Sequence, residues 1–160
     1  MKRIFLQLRA ELMLLARNGE QLLLTLVIPV ILLGFFGSVD VLPSGDTEPL
    51  NFLVPGVLAV AIMSTSMVSL GIATGFERSY LVLKRLGATP LSRIQLVVAK
   101  ILSVFIVEIV QAAILLPIGV ALGWQLSGTT WPLAFAAVFL GSASFAGIGL
   151  LLAGGLRAEI

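Results

Sequence analysis

Four long segments of the sequence carry almost no charge, and each is long enough to cross a bilayer as a helix. About 20 apolar residues, at about 1.5 Å of rise each, cover the roughly 30 Å of bilayer hydrocarbon. The predicted spans are residues 21–39, 52–75, 101–123 and 132–156. Because 59% of the chain is hydrophobic and 11% is charged, its composition lies outside the range of soluble domains. We therefore predict an all-α membrane protein with four transmembrane helices.

Residues 1–18 precede the first span and are predicted to form an amphipathic helix that lies in the membrane interface. Arg9, Glu11 and Arg17 interrupt the apolar run, so the segment is neither a span nor a signal peptide. When it is projected as a helix, one arc collects most of its apolar side chains, namely Ile4, Phe5, Leu8, Leu12 and Leu15. This pattern is typical of an interfacial helix.

The ten Lys and Arg residues all lie on one side of the predicted spans. They precede the first span, occupy the segment between the second and third, or follow the fourth. The segment between the first two spans instead carries Asp40, Asp46 and Glu48 and no cation. The positive-inside rule then places both termini and residues 76–93 in the cytoplasm.

Residues 76–93, FERSYLVLKRLGATPLSR, are predicted to form a cytoplasmic hairpin of two helices. Glu77 near the start of the first helix and Lys84 and Arg85 near its end match the helix dipole. Gly87 is placed as the C′ residue that ends this helix.

The second helix of the hairpin is predicted to begin directly after this turn and to continue into the third span. Thr89 has the side chain of an N-cap residue, and Pro90 suits the first helical position. The hairpin and the third span would then form one continuous helix from Pro90 onward.

The first hairpin helix separates apolar from charged side chains, with Leu81 as an apolar residue among the charges. The charged face consists of Glu77, Arg78, Lys84 and Arg85. One interpretation is an amphipathic helix whose apolar face lies in lipid and whose cations meet anionic headgroups. The other is a docking helix whose charged face and Leu81 meet a cytoplasmic partner. Periodicity alone leaves both open.

Glu108 is the only charged residue inside a predicted span. It lies eight residues beyond Lys100, about 12 Å along the helix, and buried carboxylates at such a depth are functional by default. Ser66 and Ser69 of the second span are expected at a similar depth, and Gln111 lies one turn away on the same face. A role in translocation and a role in helix packing both remain open.

The residue types present argue against an enzyme. The sequence contains no His and no Cys, which excludes imidazole and thiolate nucleophiles and most transition-metal sites. It also has no G-x-x-x-x-G-K-[ST] phosphate-binding loop, and one isolated acid is a poor catalytic constellation. We therefore predict no catalytic, metal or cofactor-binding residues on this chain and no nucleic-acid partner.

Nearly the whole chain resembles the ABC-2-type permeases, the membrane subunits of ATP-binding cassette exporters, and in particular the bacterial daunorubicin-resistance type. The resemblance is carried by LARNGEQLLLTLVIPVILLGFFG, LVPGVLAVAIMSTSMVSLGIATGFERSYLVLKRLGATPLSR and AKILSVFIVEIVQ. In that family the segment matching residues 77–91 is the coupling helix that contacts the ATPase subunit. The resemblance implies that Glu77, Arg78, Lys84 and Arg85 contact an ATPase, with Leu81 beside them.

The resemblance also implies a function. The family has six spans, so a chain with four is expected to be a partial permease with the first four helices. It is expected to pair with a second permease copy in a bacterial cell membrane and to export a hydrophobic or amphipathic substrate, such as a drug or lipid, with a separate ATPase as its energy source. The alternatives are a scaffold or sensor subunit that does not transport, or an inactive permease fragment.

Overall fold

The computed structural model describes residues 2–39, 49–87, 91–125 and 131–155. Every regular element in these ranges is helical, and they contain no strand. In chain order the elements are α1 (Lys2–Arg17), α2 (Gly19–Ser38), α3 (Pro49–Met63), a π-helical segment (Ser64–Ser69), α4 (Leu70–Ser79), α5 (Val82–Gly87), α6 (Arg93–Ala121) and α7 (Trp131–Gly155). The predicted all-α fold is confirmed.

Four helical stretches are long and apolar enough to cross a membrane. They are Gly19–Ser38, Pro49–Ser79, Arg93–Ala121 and Pro132–Gly155, so the second span is one helical run built from α3, the π-helical segment and α4. The four predicted spans are therefore confirmed. α6 has 29 residues and is about 44 Å long, more than the roughly 30 Å that the hydrocarbon requires.

A short turn at Asn18 separates α1 from α2. The Asn18 side chain accepts a hydrogen bond from the Gln21 backbone N–H at 3.4 Å and donates to Gln21 Oε1 at 3.0 Å. Glu20 lies in the first turn of α2, where a negative charge is favourable next to the helix dipole. The chain therefore passes from α1 into the first span within one residue, Asn18.

Two apolar clusters hold the spans together. The larger one joins α2, α3 and α6 through Leu33, Val54, Ala61 and Leu115. The smaller one joins α4, α6 and α7 through Leu70, Val104 and Ala146. Since lipid tails are as apolar as these side chains, close packing rather than removal from water drives this association.

The second span and α7 approach each other at glycine. A Cβ atom added to Gly149 would lie 2.6 Å from the backbone oxygen of Met67, in the π-helical segment. A Cβ added to Gly71 would lie 3.4 Å from the backbone oxygen of Gly149. The two helices therefore touch backbone to backbone, which only a residue without a side chain permits at position 149.

The hairpin differs from its prediction because its first helix is not continuous. α4 ends at Ser79, and α5 begins only at Val82. Between them Leu81 has a φ of 58°, a left-handed conformation that costs a β-carbon residue roughly 1–2 kcal/mol. The prediction of one helix from Glu77 to Leu86 is wrong, and the break lies at the residue that did not fit the charged face.

The start of α6 also differs from its prediction. Ser92 is the N-cap: its Oγ accepts from the Gln95 N–H at 3.2 Å, and Gln95 Oε1 accepts from the Ser92 N–H at 3.1 Å. This reciprocal pair is a capping box, which stabilises the helix start more fully than a lone Thr would. The predicted start at Pro90 is therefore wrong, while Thr89 and Pro90 themselves lie outside the described residues.

Replacing Gly149 with Ala is expected to destabilise the helix bundle, because the added methyl group meets the Met67 backbone at 2.6 Å. The expected loss in the free energy of unfolding is about 1–3 kcal/mol. Gly147→Ala is the matched control on α7, since a Cβ added there has no neighbour within 4 Å. SDS titration of the protein in lipid micelles measures both variants, and equal stabilities would contradict the close contact.

Candidate functional site

A buried ion cluster joins three helices at the end of the bundle that carries the hairpin. Lys100 of α6 places its Nζ 2.7 Å from Glu77 Oε1 of α4 and 3.1 Å from Glu11 Oε1 of α1. The Lys100 side chain is 2% exposed. Gln7 supports the cluster by donating from Nε2 to Glu11 Oε1 at 2.9 Å. We call Glu11, Glu77 and Lys100 the ion cluster.

Burying the charges of the ion cluster costs free energy, and the main effect of the cluster is to fix the relative positions of three helices. A buried ammonium or carboxylate costs several kcal/mol in lost hydration, and the attraction between partners roughly repays this cost when all of them are present. One Glu77 oxygen, Oε2, is buried without a hydrogen-bond partner, so the interactions within the cluster do not fully offset its lost hydration. The cluster therefore fixes how α1, α4 and α6 sit against one another more than it adds stability.

One feature of the sequence points to this cluster, although the spacing of apolar residues did not predict it. Glu11 lies on the same helical arc as Leu8, Leu12 and Leu15, and an acid inside an apolar stripe requires a partner. In the structure this arc is half-buried, and α1 packs mainly against α6. The predicted interfacial helix is thus docked on the bundle through the face that carries Glu11.

The predicted charged face of the hairpin is divided among different surroundings. Glu77 points inward to Lys100. Arg78 donates from one guanidinium nitrogen to the backbone oxygens of Ala153, at 3.2 Å, and of Gly154. These carbonyls belong to the last turn of α7, where a cation is favourable next to the helix dipole.

The remaining hairpin residues form an exposed patch on and next to α5. Tyr80 is 71% exposed and Leu81 is 57% exposed, and both lie at the break before α5. The patch consists of Tyr80, Leu81, Val82, Lys84 and Arg85, and all five side chains are exposed. We call these residues the hairpin patch. Because it combines apolar side chains with two cations, it suits an acidic protein surface as well as an anionic membrane surface.

Glu108 has a hydrogen-bond partner on a helix that the sequence did not indicate. Ser142 of α7 donates from Oγ to Glu108 Oε2 at 2.5 Å, and Glu108 Oε1 is buried without a partner. The expected neighbours on the second span do not fill this role: Ser66 donates to the Ile62 backbone oxygen, and Ser69 lines a small cavity next to Lys100. Among the described residues, the hydrogen-bond partner of Glu108 is therefore Ser142 rather than Ser66 or Ser69.

Gln111 connects the first, second and third spans. It donates from Nε2 to the Thr25 backbone oxygen of α2 at 2.9 Å, and its Oε1 accepts from Thr65 Oγ1 at 3.2 Å. Thr65 lies in the π-helical segment and is buried. Gln111 thus satisfies one backbone group of α2 and holds the irregular part of the second span.

A small, mainly apolar cavity with a few polar lining residues lies beside the ion cluster. Its volume is about 40 Å³, and it is lined by Glu11, Lys100, Ser103, Thr65 and Ser69 among other residues. Such a volume and such a lining suit a bound water molecule. Among the described residues, no three acidic side chains come together as a metal site would require.

Replacing Lys100 with Met is expected to destabilise the fold strongly, because Glu11 and Glu77 are then buried without a cation. The expected loss in the free energy of unfolding is about 3–5 kcal/mol. The triple variant Lys100→Met, Glu11→Gln, Glu77→Gln is expected to recover most of it, since all three charges are removed together. SDS titration measures the series, with exposed Lys84→Met as the control within about 0.5 kcal/mol of the original protein. A triple variant as unstable as the single one would contradict this account of the cluster.

The hydrogen bond between Glu108 and Ser142 is expected to contribute to the packing of α7 on α6. A double-mutant cycle with Glu108→Leu and Ser142→Ala is expected to show a coupling energy of about 0.6–1.7 kcal/mol. Ser144→Ala is the control on the same helix, because Ser144 Oγ donates to its own Leu140 backbone oxygen. Coupling to Ser142 no larger than to Ser144 would count against a packing role for Glu108.

Comparison with known proteins identifies the family of this chain. Residues 2–159 match the family described as ABC-2 type transporter. No curated protein and no solved structure gives a match. The family match covers almost the whole chain, including the four apolar helices described above. The chain therefore belongs to the ABC-2 type transporter family and is a multi-pass membrane component of such a transporter.

Proposed function

We propose that this chain is the permease subunit of an ATP-binding cassette exporter, driven by a separate ATPase subunit that docks on the hairpin. The observation that carries the proposal is the exposed hairpin patch at the junction of the second and third spans, in a chain of the ABC-2 family. The substrate is a hydrophobic or amphipathic molecule, because the walls between the spans are apolar with scattered hydroxyl groups.

The hairpin patch has the chemistry of a docking surface. Leu81 and Tyr80 offer apolar contacts, and their large exposed fractions mean that no helix of the described chain covers them. Lys84 and Arg85 lie on the next turn and attract acidic side chains on a partner. The left-handed residue at position 81 lies in the break between α4 and α5, next to the exposed residues of the patch.

The ion cluster gives the docked ATPase a mechanical path into the bundle. Glu77 lies in the last turns of α4, directly before the hairpin patch, and it contacts Lys100 of α6 at 2.7 Å. Lys100 in turn contacts Glu11 of α1. A displacement of the hairpin would therefore move the ends of α4 and α6 and the interfacial helix together.

The orientation and assembly of the permease belong to the same proposal. The hairpin end of the bundle carries the cations and faces the cytoplasm of a bacterial cell, as the positive-inside rule requires. A second permease copy completes the translocation path, in keeping with the family resemblance. Glu108 serves helix packing in this arrangement, since its carboxyl group accepts a hydrogen bond from Ser142 and does not line the small cavity.

Charge reversal at Lys84 and Arg85 is expected to release the ATPase, because it turns attraction to an acidic partner into repulsion. The tagged chain is purified from its native membranes, and ATP hydrolysis in the eluate is measured. Lys84→Glu with Arg85→Glu is expected to lower this activity at least tenfold, a loss of about 1.4 kcal/mol or more in binding. Arg9→Glu, on the exposed face of α1, is the matched control and is expected to retain it.

Two other outcomes would change the proposal. Full ATPase activity with the doubly reversed hairpin would exclude the hairpin patch as the docking surface. ATPase binding without any ATP-dependent movement of substrate in reconstituted vesicles would favour the scaffold or sensor alternative.

A further inference from the structure

A lateral cleft opens between the first and second spans. Its volume is about 460 Å³, within the range of about 300–1,000 Å³ that is typical of small-molecule sites. One wall belongs to α2 and the other to α3, the π-helical segment and α4; representative lining residues are Glu20, Leu24, Ile28, Val57, Ser64 and Val68. The cleft is open along one side, which in a membrane faces lipid or another membrane-embedded chain.

The end of the cleft near the hairpin is negatively charged. Glu20 is the only charged residue among those that line the cleft, and the neutral polar residues Asn18 and Gln21 lie beside it. No Lys or Arg of the described residues forms an ion pair with Glu20. A ligand in this position therefore meets one carboxylate and no compensating cation.

The rest of the cleft is mostly apolar and about as deep as one leaflet. From Glu20 to Leu32, α2 advances 12 residues, about 18 Å, against roughly 30 Å for the whole hydrocarbon core. Leu24 is 49% exposed and Val60 is 52% exposed, so both walls have apolar surface available for contact. An alkyl chain or a flat ring system would find apolar contacts along this length.

The π-helical segment supplies a second, independent indication of a ligand. Such segments inside α-helices are rare and frequently lie at functional sites. Thr65 and Ser66 of this segment donate to backbone oxygens of α3, whereas Ser64 and Ser69 line the cleft and make no hydrogen bond within the described chain. Two hydroxyl groups are thus left available to a bound molecule on the wall opposite α2.

We propose that this cleft binds an amphiphilic cation from the leaflet at the hairpin end, with its charged head at Glu20 and its apolar body between α2 and the π-helical segment. The inference rests on the proposed function only in identifying this molecule as the transported substrate. Binding itself requires the cleft, the carboxylate and the bilayer, and no ATPase. The site accepts a cationic amphiphile in preference to a zwitterionic one because Glu20 forms no ion pair with any Lys or Arg of the described residues.

The binding test uses a fluorescent label at the rim of the cleft. Because the sequence has no cysteine, Ile72→Cys supplies a single thiol for a bimane group, and Ile72 lines the cleft. Ile109→Cys is the control, since Ile109 lies on α6, is 67% exposed and does not line the cleft. Both proteins are placed in nanodiscs of zwitterionic lipid and titrated with dodecyltrimethylammonium or dodecylphosphocholine, which share the same alkyl chain.

Dodecyltrimethylammonium is expected to give a saturable change in emission at position 72 and none at position 109. Glu20→Gln is expected to raise its half-saturating concentration about two- to fivefold, the size of an ion-pair effect at an exposed site, and Glu20→Asp to preserve it. The response to dodecylphosphocholine is expected to be weaker and insensitive to Glu20→Gln. Ser64→Phe fills the cleft and is expected to abolish both responses, whereas Met63→Phe, outside the cleft, leaves them unchanged.

Three results would overturn the proposal. The first is an equal response at positions 72 and 109, which would indicate partition into lipid alone. The second is an equal effect of Glu20→Gln on both amphiphiles, which would reduce Glu20 to a residue that stabilises the start of α2. The third is a disulfide between two Ile72→Cys chains that neither amphiphile prevents, which would show that a second copy covers the cleft.

Failure of the cleft and failure of the proposed function are distinguishable. Glu20-dependent binding in nanodiscs, without ATP-dependent movement of the same cation in vesicles that contain the chain and its ATPase, would contradict the function and uphold the site. ATP-driven export that is unaffected by Ser64→Phe would uphold the function and contradict the site.

Discussion

The contact of Lys100 with two carboxylates is the interaction on which the arrangement of this end of the molecule depends. In or near a membrane, an unpaired ammonium group is among the most expensive groups to bury, so its partners must be present wherever it lies. Glu11 and Glu77 meet that demand from two other helices. Helix α1, the end of the second span and the start of the third are therefore held in one geometry.

This constraint links the exposed hairpin patch to the interior of the third span. Glu77 stands three residues before the exposed hairpin patch, and Lys100 stands eight residues before Glu108 on the same helix. Farther into the bundle, apolar packing does little to fix the rotation of each helix, because lipid tails can contact the same surfaces. There the backbone contact at Gly149 and the bonds made by Gln111 and Glu108 set how the helices meet. A few contacts of polar side chains and of glycine thus determine how the helices pack in a bundle whose surfaces are otherwise uniformly apolar.

Several features of the fold could be predicted because they depend only on the hydropathy and charge of each segment, added over its residues. Span length, the number of spans and the helical class follow from hydropathy and from the need to satisfy backbone groups in lipid. The position of the hairpin was predicted from the charges between the second and third spans, but its internal break at Leu81 was not predicted. A left-handed leucine is unfavourable locally, so the preferences of the residues around it do not predict the break. Glu11 was visible as an acid in an apolar stripe, yet nothing in the sequence named Lys100 as its partner.

Hydropathy and charge are properties of single segments, so the amino-acid order is enough to predict a helical membrane protein with four spans and its cations on one side. Which helices touch is visible only in the tertiary structure. It directs Glu77 inward to Lys100, where it is partly buried, gives Glu108 a partner on α7, and forms the cleft next to Glu20. The reason is that an apolar helix presents similar surfaces in every direction, so its rotation and its neighbours are set by a few contacts between residues far apart in the chain.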